Sequence, residues 1–267
     1  VGVGRLGSAV GQLVAEAGHR LLVADRPGSR VFRSVVETLL PAADAVPLAD
    51  VVERADIVIL ALPQPALADL DLARARGVLL DATNAWEHTD GPDSIHRMDP
   101  LAWTERVPGV PVVKSLNHAG YGELLMDARP AGAPGRRAFA LAGDDGAAVD
   151  LVASLVDSMG FDAVPTSAAD APLLEPDGAV FGRRFDEAGL REASTLAREY
   201  KPLGKVQENL ALQTEFARKM FDIAVKGAQD SASTARQSTS DAVKIIQDRM
   251  KESFEEFRAS VRPNKSA

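Results

Sequence analysis

The stretch "VGVGRLGSAVGQLVAEAGHRLLVAD" (residues 1–25) decides the fold. Gly2, Gly4 and Gly7 make a G-x-G-x-x-G pattern, with Leu6, Ala9, Val10, Leu13, Val14 and Ala17 at helical spacing around and behind it. Gly18 supplies a helix stop, and the short apolar strand LLVA (21–24) then ends in Asp25, 18 residues beyond Gly7. Glycines are needed where backbone amides approach a pyrophosphate closely and a helix N-terminus offsets its charge. An acid at the end of the second strand is placed to hydrogen-bond an adenosine ribose. A tight strand–helix turn in an ordinary α/β domain also uses glycines; the helix, strand and acid that follow favour the nucleotide reading. Such a turn follows a central strand, yet Val1 alone stands before Gly2. The expectation is a sheet whose first strand is apparently truncated, opened beside the phosphate site.

Working outward, ADIVILALP (55–63), GVLLDAT (77–83) and VPVVKSLN (110–117) are continuous apolar runs of the kind buried on both faces of a parallel sheet. AFALAGDD (138–145), a helical pattern through Val149, Val152, Leu155 and Val156, and GFDAV (160–164) add one more strand–helix–strand unit. The alternation predicts an α/β, doubly wound parallel sheet followed by a long helical tail. The chain of 267 residues has no cysteine, which excludes disulfides, thiolate catalysis and cysteine-ligated metals. No apolar run approaches the ~20 residues of a membrane helix, so an intracellular, cytoplasmic protein with no transmembrane segment is expected. A net charge of −8 argues against nucleic acid as a partner.

Charge and turn residues divide the chain unevenly. Residues 198–267 carry 13 Lys+Arg against 10 Asp+Glu, whereas 1–197 carry 17 against 28. Three segments follow: a nucleotide-binding domain over 1–117, an extension over 118–197, and an amphipathic helical segment over 198–267. In the last, Phe216, Met220 and Ile223 recur at helical spacing, as do Val243, Ile246, Met250, Phe254, Phe257 and Val261. Such stripes need a partner surface.

With DATNAWEHTDGP (81–92), VVKSLNHAGYGELLMDARPAGAPGRRAFALAGDD (112–145) and GFDAVPTSAADAPLLEPDGAVFG (160–182) in view, residues 1 to about 197 resemble NAD(P)-binding proteins of the coenzyme F420-dependent NADP oxidoreductase group. The resemblance implies a Rossmann domain with a small C-terminal extension, and hydride exchange between NADP(H) and a deazaflavin as small-molecule redox partner. It places Gly2, Gly4, Arg5, Leu6 and Gly7 at the pyrophosphate turn, and Arg26 and Ser29 in the loop that holds a 2′-phosphate. Pro63 and Asn84 fall at the crevice end where a nicotinamide lies, and Asn117 and His118 border the deazaflavin pocket, with Tyr121 close by. Two departures stand out: Asp25-Arg26-Pro27 replaces a serine-containing loop, and Gly122 replaces a second histidine. Asp25 favours the free ribose hydroxyl of NAD, whereas Arg26, Ser29 and Arg30 could hold the phosphate of NADP. The family tips the expectation towards NADP.

Hydride transfer between stacked rings needs no metal or thiol, and no catalytic residue is assigned; the protein orients the rings and excludes water. His118 is a candidate to hydrogen-bond a cofactor carbonyl or phosphate, or else part of a polar cluster holding its loop. His88 and His96 lack metal-ligand spacing, Asp144-Asp145 reads as a turn and helix cap, and RPAGAPGRR (129–137) as a surface turn or a phosphate contact. The tail, over 210–257, resembles the phasins, helical proteins that coat polyhydroxyalkanoate granules. That resemblance implies attachment to a hydrophobic granule surface; a coiled-coil or other homo-oligomer helix is the alternative.

Overall fold

The computed structural model describes residues 1–25, 29, 31–67, 70–86, 107–200, 212–227 and 229. The chain alternates helices and strands: α1 (Arg5–Glu16), β1 (Leu22–Val23), α2 (Phe32–Leu39), β2 (Asp44–Ala45), α3 (Leu48–Arg54), β3 (Ile57–Leu60), α4 (Gln64–Leu67) and β4 (Val78–Asp81). Then come β5 (Val112–Lys114), α5 (Tyr121–Asp127), β6 (Ala138–Ala142), α6 (Gly146–Ser158), β7 (Asp162–Thr166), a 3-10 segment (Ala168–Leu174) and α7 (Glu187–Glu199). A last helix, α8, covers 212–227.

The α/β expectation holds. Strands β3-β4-β5-β6-β7 form one sheet in that order and β1-β2 a second, small one. Pairing is parallel except at β5/β6, which meet antiparallel through Lys114 and Ala142 alone. Period-2 alternation puts side chains on both faces of a strand, and β4 and β6 are buried on both. In β6, Phe139 and Leu141 join α1 and α6 residues such as Val10, Leu13, Val152 and Val156 on one face. Ala138, Ala140 and Ala142 face Leu190 and Ala193 of α7 on the other. In β3, Val58 and Leu60 pack with Val51 and Val52 of α3. Helices on both faces make the sheet doubly wound.

The position between β1 and β3 is held by Val1–Val3. Gly2 N donates to Ala24 O (2.8 Å), and Ala61 N donates to Val1 O (3.0 Å). The Val1 ammonium donates to Ile59 O at 2.6 Å. A cavity of about 230 Å³ continues from there, lined by Leu22 on one side, Ile57 and Ile59 on the other, and Val10 and Val14 of α1. The glycine turn therefore leaves a central strand position, as its pattern requires.

Helix α8 corrects one expectation. Its stripe of Phe216, Met220 and Ile223 lies against the chain's own domain, with Met220 fully buried among Leu190, Ala193 and Val180. The Tyr200 and Phe216 rings meet at 4.6 Å. The partner surface for this stripe is α7 and the back of β6, because their small alanines leave a seat for larger side chains. The second stripe, Val243 to Val261, lies outside the described residues.

Candidate functional site

In a parallel sheet the ligand crevice lies beyond the carboxyl ends of the strands. Here that edge carries, in spatial order, Asp25 after β1, the glycine turn after Val1–Val3, Leu62-Pro63 after β3, Thr83-Asn84 after β4 and Ser115-Asn117 after β5. Adjacent strands sit about 4.8 Å apart, so these groups form one row.

The glycine turn is built for close approach. Gly2 adopts φ +88°, and a Cβ there would meet Ala61 O at 2.6 Å. A Cβ on Gly7 would overlap the Gly2 carbonyl oxygen, so the turn cannot close around any larger residue. Gly4 is different: a Cβ there would touch nothing within 4 Å. It is the N-cap of α1 and has no side-chain cap, and no acid stands in the first turn. The start of α1 thus has free space at Gly4 and no acid in its own first turn, as a pyrophosphate at a helix N-terminus requires. Leu6 anchors the turn by packing on the core. Exposed Arg5 lies over the Tyr121 ring at 5.7 Å, which brings Tyr121 beside the glycine turn.

Asp25 follows β1 directly and is half-buried; its charge reaches the Val1 ammonium, whose pKa burial still lowers to about 6. Ser29 is half-buried, whereas Arg26 and Arg30 lie outside the described residues, as do His88 and His96. Pro63 is exposed at the end of β3 and its carbonyl accepts from Ala66 N (3.0 Å), opening α4.

Asn84 and Asn117 are brought together. Asn84 Nδ2 donates to Asn117 O (3.0 Å), and Asn117 Nδ2 donates to Asn84 Oδ1 (3.0 Å) and Leu174 O (2.8 Å). Between β5 and Asn117, fully buried Leu116 holds φ +65°. A branched side chain in the left-handed region costs on the order of 1–3 kcal/mol and persists only where its surroundings enforce it. Beyond Asn84, Trp86 is 39% exposed and meets Phe181 edge-on at 5.6 Å, an aromatic wall beside the asparagines.

His118 does not reach the crevice. Its ring lies against Phe139 at 4.9 Å, Nε2 accepts from Ala140 N (3.4 Å), and the residue is 1% exposed. Burial, with the Arg137 and Lys114 charges, lowers its pKa to about 3 and keeps the ring neutral. It holds the loop against β6, the plainer of its two expected roles. Asp145 caps α6 by accepting from Ala148 N (2.9 Å), and Asp144 accepts from Ala168 N (2.9 Å), as expected. Arg136 and Arg137 are neither a surface turn nor a phosphate contact. Arg136 is buried between Asp157 and Asp162, and Arg137 against Glu123 and Asp127.

Sequence reasoning missed a buried ionic cluster at the same strand ends. Lys114 Nζ, 1% exposed, lies 2.7 Å from Glu175 Oε1 and 3.4 Å from Asp81 Oδ2, and donates to Thr83 O (2.9 Å). Asp81 Oδ1 accepts from Thr83 N and Oγ1, and Glu175 Oε2 accepts from Ala85 N. Burial alone would lower the Lys114 pKa, but the two carboxylates outweigh it and raise it. The available signal was a charged residue closing two apolar runs, VVK and LLD, that pair in register: Asp81 stands opposite Lys114.

A domain family described as Rossmann-like matches residues 1–113. Among solved structures, a hypothetical protein from Sinorhizobium meliloti is similar at 28% identity and TM-score 0.60, covering 68% of this chain and 91% of its own. A protein from Arthrobacter sp. FB24, provisionally described as an F420-dependent NADP reductase, matches at 22% identity and TM-score 0.50, covering 73% and 86%. No curated protein sequence matches the chain. The glycine turn, the row of strand ends and these likenesses together make this a Rossmann-like fold.

Proposed function

We propose that the chain is an NAD(P)H-dependent oxidoreductase that passes hydride between NADP(H), with NAD(H) as the alternative, and a deazaflavin of the coenzyme F420 type or a related acceptor. The observation that carries the reading is the open space before Gly4, at an uncapped helix start in a turn that only glycines can close. A bound nicotinamide dinucleotide would supply the hydride donor or acceptor carbon. This chain's part is to bind and orient: the α1 amides and Arg5 for the pyrophosphate, Asp25 and Ser29 for the adenosine ribose side, Asn84 and Asn117 at the ring end. Trp86 and Phe181, set edge to face, offer an apolar wall that would keep water from a second ring.

Granule attachment or self-association through the tail would have to use the second stripe, since the first is engaged on the domain. The test of the main reading is calorimetric titration with NADPH and NADH, followed by deazaflavin absorbance in the presence of the tighter nucleotide. Gly4→Ala sharpens it: the backbone there has φ −68° and ample room, so the fold should survive. The added methyl fills the phosphate space, and affinity should fall tenfold or more. Absence of binding by either nucleotide in the parent chain overturns the reading.

A further inference from the structure

We infer that Tyr121 is a positioning residue for the dinucleotide: its ring holds the Arg5 guanidinium beside the glycine turn, ready for a pyrophosphate. The inference rests on the nucleotide reading above and adds to it a residue of α5 that acts on the ligand through another side chain.

Arg5 is the first residue of α1, directly after the Gly4 cap. A cation there stands at the positive end of the helix dipole, with no acid in the first turn to offset it. That placement is unfavourable in the free chain and becomes favourable when an anion arrives, because a guanidinium can bond two phosphate oxygens at once. Ordering a long exposed stem at the moment of binding costs conformational entropy. The ring lowers that cost beforehand: Arg5 Cζ lies 5.7 Å from the Tyr121 centroid, within reach of a cation–π attraction. Such a contact needs none of the N–H donors of the guanidinium, which stay available for phosphate. The ring is itself held. Tyr121 opens α5, and Glu123 Oε2 fixes that opening by accepting from Gly120 N (3.0 Å) and Arg137 Nη1 (2.9 Å). Arg137 is 1% exposed, so this tie reaches into the protein. Leu124, one turn along α5, is fully buried in the same cluster as Val10 of α1, and Leu6 packs against that cluster. Packing of α5 on α1 thus fixes where the ring stands relative to the turn. Tyr121 stays 46% exposed, so core burial does not account for an aromatic residue there, whereas the contact with Arg5 does.

Calorimetric titration with NADPH or NADH, whichever the parent chain binds more tightly, reads the effect in a double-mutant cycle with Arg5→Gln. Tyr121→Leu keeps apolar bulk but removes the aromatic face. It should weaken binding about threefold, the size of an exposed cation–π contact. Tyr121→Phe keeps the face and should restore the parent affinity. In the Arg5→Gln background, Tyr121→Leu should cause no further loss. Equal loss with and without Arg5 would mean that the ring touches the ligand or supports the fold by itself, and would overturn the inference. So would an undiminished affinity in Tyr121→Leu, or a loss in Tyr121→Phe as large as in Tyr121→Leu. If the parent chain binds neither nucleotide, the nucleotide reading itself fails and the inference with it, an outcome distinct from the others.

Discussion

At the β2–β1 end of the molecule, the local core is Val3, Val23, Val36 and Leu40, each strand pairs over two residues, and a cavity lies between β1 and β3. At the β6–β7 end, two strands pair over five residues between two apolar layers, and Lys114, Arg136 and Arg137 are buried in ion pairs. The same crevice is therefore made of unequal walls. The β1–β2 side, proposed above for the adenosine end, rests on few buried contacts, so its local opening should cost little. The ring side is fixed from several directions, enough to hold Leu116 in an unfavourable backbone conformation. A dinucleotide bridging the two would firm up the weaker wall, and its binding should therefore be felt most far from the ring.

The largest effect expected is from Lys114→Met, which takes from the enclosed Asp81 and Glu175 carboxylates the ammonium they share. Breaking a buried pair in this way costs about 3–5 kcal/mol, read from the midpoint of urea unfolding. A loss below 1 kcal/mol would show that the ring wall does not depend on its charges and would erase much of the contrast. Leu40→Ala probes the other wall. Leu40 is 2% exposed, and its removal should cost about 2 kcal/mol, the low end for such truncations, because the neighbouring cavity lets the site relax. Amide exchange should quicken over 21–24 and 44–46 while 138–142 stays protected. Equal quickening in both regions would mean that the two walls unfold as one unit.

What the sequence shows of these walls follows from how directly each feature is coded. Apolar runs and their two-residue period revealed β3, β4, β5, β6 and β7, because burial on both faces leaves no room for polar residues. The glycine spacing revealed the tight turn into α1, because only glycine fits at Gly2 and Gly7. The ion cluster was less legible: Lys114, Asp81 and Glu175 are far apart in sequence, and each alone looks like a solvated end of an element. The left-handed backbone at Leu116 had no local signal, since leucine is an unusual choice for it. The choice between the two roles of His118 was not legible, because a polar residue after a strand reads as exposed, whereas antiparallel β6 closes over it. The tail stripe could be read as needing a partner, but not that α7 and the alanines of β6 were the partner.

The smallest expected effect is on pH dependence, and it belongs to the ring wall alone. His118 is held neutral with a pKa of about 3, first by burial and then by the positive charges of Arg137 and Lys114, against 6.5 for the free side chain. Between those values the unfolded chain binds a proton that the folded chain excludes, so stability rises with pH over this range. The His118 contribution is fully present above about pH 6.5. It falls by about 1.4 kcal/mol for each unit of acidification below that, until the folded form also protonates near pH 3. Urea midpoints measured from pH 7 to pH 5.5 should therefore decline, and His118→Gln, which cannot protonate, should flatten the slope by close to one proton. The flattening should appear in the exchange of β6 amides and be absent from those of β1. An unchanged slope in the variant would place the acid sensitivity in the carboxylates instead, and would remove His118 from what distinguishes the two walls.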